Sequence, residues 1–298
     1  MDDSPAQWRA IGKSVRGAAH CRNGLPNQDA IVWSPKEPDD GSWLIMAVAD
    51  GHGSAKSFRS NIGARHAVEE AIATLRDFLG TRTDTSSLST LKRAAEERLP
   101  QDLVRRWTRS IEKELDNYPL SNEGLDSVEP GERARVRQAV AANPLLAYGA
   151  TILVVAATRS FLLYLQLGDG EILAVSETGT VVRPLPTDER LFANETTSLC
   201  APRAWNDFRV IFETVVHAPP ALIVMTTDGY ANSFTSQAGF MQVGADLYQM
   251  VRADGPDKVD QSLEEWLNEA SQMGSGDDTT LGIIYRQQTL QGADPAGP

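Results

Sequence analysis

Four aspartates stand where short apolar runs begin or end. Leu44-Ile45-Met46-Ala47-Val48-Ala49 runs into Asp50-Gly51-His52-Gly53, Leu163 to Gly168 runs into Asp169-Gly170, and Ile223 to Thr227 runs into Asp228-Gly229. Asp277-Asp278 stands directly before a fourth run, Thr280 to Tyr285. Burying a carboxylate without a partner is expensive, so a charge at the tip of a core strand needs something to pair with. Asp-Gly also marks ordinary β-turns, and a single instance says no more than that. Four carboxylates gathered at one place repel one another unless a cation holds them. An all-oxygen set selects hard ions such as Mg²⁺ or Mn²⁺ over zinc. The glycines beside three of these aspartates let another group approach the backbone closely.

The elements that must position these residues follow from apolar periodicity. Ser14 to Asp29 reads as a strand end and a loop leading into a strand at Ala30-Ile31-Val32-Trp33. Ile62, Val68, Ile72, Leu75 and Leu79 predict a long helix with one buried face, and Thr81 to Ser89 a polar loop. In a second helix Leu99, Leu103, Trp107, Ile111 and Leu115 recur every fourth residue, with Pro100 in the first turn. Asn117 to Gly131 is an acidic loop, and a short helix is expected over Glu132 to Ala142. The texture then changes to short β-branched and aromatic runs: Thr151–Ala156, Phe161–Leu167, Ile172–Ser176, Arg209–Thr214 and Ala221–Thr226. A last helix over Val259 to Met273 precedes a closing strand, Thr280 to Tyr285. Helices and strands are segregated rather than alternating, which places the chain in the α+β class with largely antiparallel sheets packed as layers. No composition shift divides it: residues 1–286 read as a single domain, and 287–298, polar and rich in Gly and Pro, as a disordered tail.

Composition narrows the function. The 298 residues carry a formal net charge of -12, which disfavours a nucleic-acid backbone as partner and favours metal cations. No apolar run approaches the roughly 20 residues that span a bilayer, and Met1-Asp2-Asp3-Ser4-Pro5 lacks a basic-then-apolar signal segment. Neither a membrane partner nor export is expected, and the protein reads as cytoplasmic. Cys21 and Cys200 are the two cysteines, far apart; they suit a reducing compartment, with a single bridge between them as the alternative.

Taken in order, Asp50-Gly51-His52-Gly53, Gly149-Ala150-Thr151, Gly168-Asp169-Gly170, Asp228-Gly229 and Asp277-Asp278-Thr279-Thr280 resemble the motifs of the type 2C metal-dependent protein Ser/Thr phosphatases, the PPM family. His20-Cys21-Arg22-Asn23-Gly24-Leu25-Pro26-Asn27-Gln28-Asp29 is similar to the opening motif of a bacterial branch. The resemblance spans about residues 10 to 286. It implies a four-layer αββα sandwich of two antiparallel sheets flanked by helices. It also implies two Mn²⁺ or Mg²⁺ ions and a weak third. Asp50 would bridge the pair, with the Gly51 carbonyl on one ion and Asp228 and Asp277 on the other; Asp29 would act through water, and Asp169 would help hold the third. The implied activity is hydrolysis of phosphoserine and phosphothreonine in proteins by a metal-activated water, with His52 protonating the leaving alkoxide. Partners would be phosphorylated proteins, among them a Ser/Thr kinase or its substrates.

The chain departs from the family pattern at three places. Gln28 replaces a glutamate, Asn232 stands where many members have a third-metal aspartate, and Gly24 occupies the place of the arginine that grips phosphate. Arg22 or His20 would take over that grip. The first two changes support an alternative, a catalytically silent PPM-like domain that binds phosphoproteins or regulates a partner. His20-Cys21 also opens like a cysteine-based tyrosine phosphatase, but the arginine such a loop needs falls at Asn27. Thr187 to Asp207, with Phe192-Ala193-Asn194-Glu195 and Trp205, is either the family's substrate-shaping flap or an ordinary surface excursion.

Overall fold

The run Trp43–Ala49 is apolar throughout because both of its faces are covered. Leu44, Met46 and Val48 belong to a core between two sheets, while Ile45, Ala47 and Ala49 belong to a core shared with helices. The computed structural model describes residues 8–36, 43–80, 87–120, 128, 130–186, 197–215 and 219–287. Among these residues ten strands run in chain order as β1 (Trp8–Val15), β2 (Ala30–Ser34), β3 (Trp43–Ala49), β4 (Ile152–Thr158), β5 (Phe161–Leu167), β6 (Glu171–Val175), β7 (Val181–Val182), β8 (Arg209–Thr214), β9 (Leu222–Thr226) and β10 (Thr279–Arg286). They form two five-stranded antiparallel sheets, ordered β1-β10-β9-β6-β7 and β2-β3-β4-β5-β8. The first and last strands pair along their whole length, from Trp8 against Arg286 to Val15 against Thr279.

Among the described residues eight α-helices accompany them: α1 (Ala18–Asn23), α2 (Ser60–Gly80), α3 (Leu88–Glu97), α4 (Leu99–Asn117), α5 (Arg133–Ala142), α6 (Asp228–Ala231), α7 (Gln237–Asp254) and α8 (Pro256–Met273). Three cores separate four layers. Between the sheets lie Trp8, Met46, Val48, Val155, Tyr164, Ile223, Met225 and Ile284. Outside the β2–β8 sheet, Ala67, Val68 and Leu75 of α2 share a core with it, which Leu103, Trp107 and Ile111 of α4 extend against α2. Outside the other, Leu247 and Val251 of α7 and Leu263 and Leu267 of α8 share a core with that sheet. The result is the αββα sandwich that the family resemblance implies.

The every-fourth-residue stripe of α4 performs as its spacing predicts. Leu103, Trp107 and Ile111 are fully buried, and the Trp107 indole donates to the Gly63 carbonyl of α2 at 3.0 Å. Burying Leu103 and Ile111 contributes about 1.5–3 kcal/mol each, more than any helix propensity, so the seam against α2 holds this helix in place.

Three local elements differ from the sequence reading. The loop expected after β1 contains the short helix α1. It is fixed from outside by Ser271 Oγ, which accepts from Ala18 N, and by the Gly276 carbonyl, which accepts from Ala19 N. Helix α3 begins inside the expected polar loop, where Ser87 accepts from the Thr90 amide as an N-cap and Leu91, Ala94 and Ala95 turn inward. Helix α7 has no counterpart in the sequence reading. Its apolar stripe of Phe240, Leu247, Tyr248 and Val251 is interrupted by Gly244, which sits against Val175 and Val181. Cys21 is exposed and Cys200 buried, and both are free thiols. Residues 187–196 of the flap segment and 288–298 of the tail lie outside the described residues.

Candidate functional site

Strand register delivers the aspartates to one edge of the sandwich. Ala30 pairs with Ala49, so Asp29 and Asp50 follow side by side at the same end of the β2–β3 ladder. Ile152 pairs with Leu167, and the chain passes through Gly168 to Asp169 at that end too. In the facing sheet Thr226 lies between Leu281 and Glu171, which brings Asp228, the Asp277-Asp278 turn and Asp169-Gly170 together. Ligand oxygens of Asp50, Asp169 and Asp228 lie within 4.8 Å of one another.

Neighbours fix the Asp50 backbone and orient the carboxylates of Asp29, Asp228 and Asp278. Asp50 and Thr151 hold each other: the Asp50 amide donates to Thr151 Oγ1 at 3.2 Å, and the Thr151 amide donates to the Asp50 carbonyl at 2.8 Å. Asp29 Oδ2 accepts from the hydroxyls of Thr227 and Thr280, both at 2.7 Å. Asp278 is buried and ties the opening loop to the start of β10. Its Oδ1 accepts from Gly17 N at 2.6 Å, its Oδ2 from Gln28 N at 2.6 Å, and His20 Nδ1 lies 2.8 Å from the same Oδ2. Asn232 Nδ2 donates to Asp228 Oδ2 at 3.1 Å, a bond that an aspartate at 232 would replace with repulsion.

Burial and mutual repulsion both oppose ionisation of these carboxyls. Burial first, then the charges of Asp29, Asp228 and Asp277, pushes the Asp50 carboxyl well above the ordinary carboxylate range. Burial also raises Asp29 well above that range, against the two threonine hydrogen bonds, with Asp278 and Asp228 adding to it. Asp228 is raised by burial and by Asp169 and Asp277, while its hydrogen bond with Asp50 opposes the shift. A group of carboxyls that resists ionisation is stabilised by divalent cations, and oxygen donors of this number suit Mn²⁺ or Mg²⁺. The Gln28 Oε1 atom is buried with no hydrogen-bond partner, a further acceptor beside Asp29.

Among the residues singled out from the sequence, Asp50, Asp169 and Asp228 meet directly, and Asp29 and Asp277 act on them through their charges. Gly51 is bridged antiparallel to Ala150, which fixes the backbone between Asp50 and His52. His52 donates its amide to the Gly149 carbonyl at 3.0 Å; burial lowers its imidazole pKa, and the Asp169 charge opposes that shift. His20 is engaged with carboxylates, Nδ1 with Asp278 and Nε2 3.6 Å from Asp277, whereas Arg22 is exposed on α1. His20, Asp277 and Asp278 also form a metal-like triad, but both Asp278 oxygens accept backbone amides. Thr151, Thr227, Thr280 and Asp278 are the residues that sequence reasoning missed as positioning groups. Sequence adjacency signals two of the hydroxyls, in Thr227-Asp228 and Asp278-Thr279-Thr280, whereas Thr151 stands beside no aspartate.

An αββα sandwich with carboxylates converging on one edge is the fold of the metal-dependent Ser/Thr phosphatases. The family model described as Protein phosphatase 2C matches residues 16–268, and the chain belongs to that family. Solved structures similar to it include PppA, "a key regulatory component of T6SS in Pseudomonas aeruginosa", at 18% identity and TM-score 0.54, covering 95% of this chain and 99% of that one. Stp1 of Staphylococcus aureus is similar at 9% identity and TM-score 0.59, covering 96% and 98%. The Mycobacterium tuberculosis phosphatase PstP/Ppp is similar at 13% identity and TM-score 0.52, covering 94% and 98%. A structure of the PstP catalytic domain in complex with 2 manganese ions gives 13% identity and TM-score 0.51, covering 94% and 98%. At these identities the likeness is one of fold. No curated protein matches the chain. Among the described residues, no helix is long and apolar enough to cross a membrane.

Proposed function

We propose that this chain is a protein-serine/threonine phosphatase whose single catalytic unit occupies residues 1–286. The observation that carries the reading is the meeting of Asp50, Asp169 and Asp228, from three separate strand ends, with ligand oxygens within 4.8 Å. Asp50, the Gly51 carbonyl, Asp228 and Asp277 would hold two Mn²⁺ or Mg²⁺ ions, with Asp29 acting through water and Asp169 toward a weaker third. Bound there, divalent cations lower the pKa of water and offset phosphoryl charge.

The chain's own groups perform the rest. Thr227 and Thr280 hold Asp29 in one orientation, and Thr151 fixes the Asp50 backbone. The Asp278 clamp draws Gln28 and the opening loop against the start of β10. His52 donates a proton to the serine or threonine oxygen as it leaves. Arg22 is the group left to meet substrate phosphate, because His20 is occupied by Asp278. The substrates are phosphorylated proteins, including a Ser/Thr kinase or its targets.

Hydrolysis of a phosphothreonine peptide tests the reading. Activity is expected with Mn²⁺ or Mg²⁺ and is expected to vanish in EDTA. A protein that binds the phosphopeptide in Mn²⁺ but never hydrolyses it would instead be the silent, regulatory form of the fold.

A further inference from the structure

Gly149 occupies a position where the backbone does not ask for glycine. Its φ of -51° and ψ of 130° are open to any L-residue. What a side chain would meet there is His52. A Cβ built on Gly149 would lie 2.6 Å from Cδ2 of the His52 imidazole, with Cys200 Sγ at 3.2 Å and Ser57 Oγ at 3.3 Å. Other glycines around the site differ in kind. A Cβ on Gly17 would fall 2.3 Å from the Asp277 carbonyl carbon, and one on Gly229 would fall 2.1 Å from the Asp278 carbonyl oxygen, so there the backbone itself stands in the way. At 149 the nearest obstacle is a side-chain ring rather than backbone.

The surroundings of Gly149 make it a fixed reference for that ring. Its carbonyl accepts from the His52 amide at 3.0 Å, Ala150 bridges Gly51, and Thr151 is bonded both ways to Asp50. On the other side, the Ala150 carbonyl accepts from Leu199 N at 2.9 Å and from Ser198 Oγ at 3.2 Å, which anchors the segment carrying Cys200. Three consecutive residues therefore set the backbone of Asp50 and His52, and the missing side chain at 149 is the space the imidazole fills. Buried Cys200 and buried Ser57 complete the walls of this seat.

We infer that Gly149 is a positioning residue for His52: it holds no substrate and no metal, and its lack of a side chain sets where the imidazole sits. The inference rests on the reading of His52 as proton donor. A misplacement of about 1 Å at a reacting group can cost about 10²-fold in rate, so a methyl group here should be felt in the proton-transfer step. Metal binding should not change, because the Asp50 backbone bonds do not involve the Gly149 side-chain position.

The test compares Gly149→Ala, His52→Gln and the double variant on a phosphothreonine peptide and on p-nitrophenyl phosphate at saturating Mn²⁺. Nitrophenolate leaves without protonation, whereas an alkoxide does not. Gly149→Ala is expected to fold, to keep the Mn²⁺ concentration for half activity, and to lose about 10-fold or more on the phosphopeptide. On p-nitrophenyl phosphate it should stay within about twofold. Added to His52→Gln, it should cost nothing more, since the ring it displaces is gone. A variant that fails to fold, loses equally on both substrates, shifts the Mn²⁺ requirement, or multiplies the loss of His52→Gln overturns the inference. Equal losses on the two substrates in His52→Gln itself would remove the donor reading instead. The seat is then decided by the double variant alone, additive losses overturning it.

Discussion

Asp228→Asn is expected to abolish most of the proposed metal-dependent hydrolysis while making the metal-free protein harder to melt. The loss of rate follows from removing one charged ligand of the proposed centre, on the order of 10²–10³-fold, as for loss of one electrostatic stabiliser from a reacting site. The gain in stability follows from the apo electrostatics. Asp29, Asp50 and Asp228 all have carboxyl pKa values raised in the folded protein, so between the unfolded and folded values the native state holds more protons than the unfolded chain. Stability therefore falls as pH rises through that window, and above it the metal-free protein carries the whole penalty. An asparagine at 228 removes one of the mutually repelling charges and can still accept from Asn232. Thermal melts in EDTA at neutral pH should place the variant above the native protein, by about 2–4 °C for each kcal/mol recovered. Acidification should shrink the difference, because the native carboxyls then protonate. With Mn²⁺ the order reverses, since the native protein gains the ligand's binding energy. A variant that melts lower than the native protein in EDTA would contradict this account of the cluster.

The second large effect is expected at His52. Changing it to Gln should slow kcat on a phosphopeptide by roughly 10²-fold, the low end for general acid catalysis, and slow p-nitrophenyl phosphate far less. The acid role sets a condition on pH as well. Burial lowers the imidazole pKa and the Asp169 charge works against that shift, so the protonated, donating form is favoured by acid. Phosphopeptide turnover in the native enzyme should fall as pH rises through the His52 pKa, and the fall should be absent in His52→Gln. A histidine that serves only packing predicts equal losses on both substrates and an unchanged pH profile.

The strand ends could be read from the sequence because a core strand that stops at Asp50, Asp169 or Asp228 breaks its own hydrophobic pattern. Two-sided burial made β3, β4, β5 and β9 visible as apolar runs, and the four-residue stripe of Leu103, Trp107 and Ile111 made α4 equally plain. What escaped was structure whose reason lies elsewhere in the chain. Helix α1 depends on Ser271 and Gly276, more than 250 residues away in sequence. Helix α7 hides its stripe behind Gly244, whose purpose is to let the helix approach Val175 and Val181. The hydroxyl of Thr151 looks like that of an ordinary strand residue until the fold brings Asp50 beside it. His20, a phosphate-ligand candidate from its place in the opening loop, lies with Nδ1 2.8 Å from Asp278 Oδ2, a partner that the sequence does not reveal.

If these strand-end aspartates hold divalent cations that make the chain a phosphatase, metal loading and the onset of hydrolysis must coincide. Stripping the protein with chelator and titrating Mn²⁺ back, with free Mn²⁺ followed by electron paramagnetic resonance and phosphothreonine-peptide hydrolysis in the same sample, tests it most directly. The account predicts two tightly held equivalents per chain, no hydrolysis before the site fills, and activity that rises with the second equivalent. Full hydrolysis in chelator, or two bound equivalents with no hydrolysis, would contradict it.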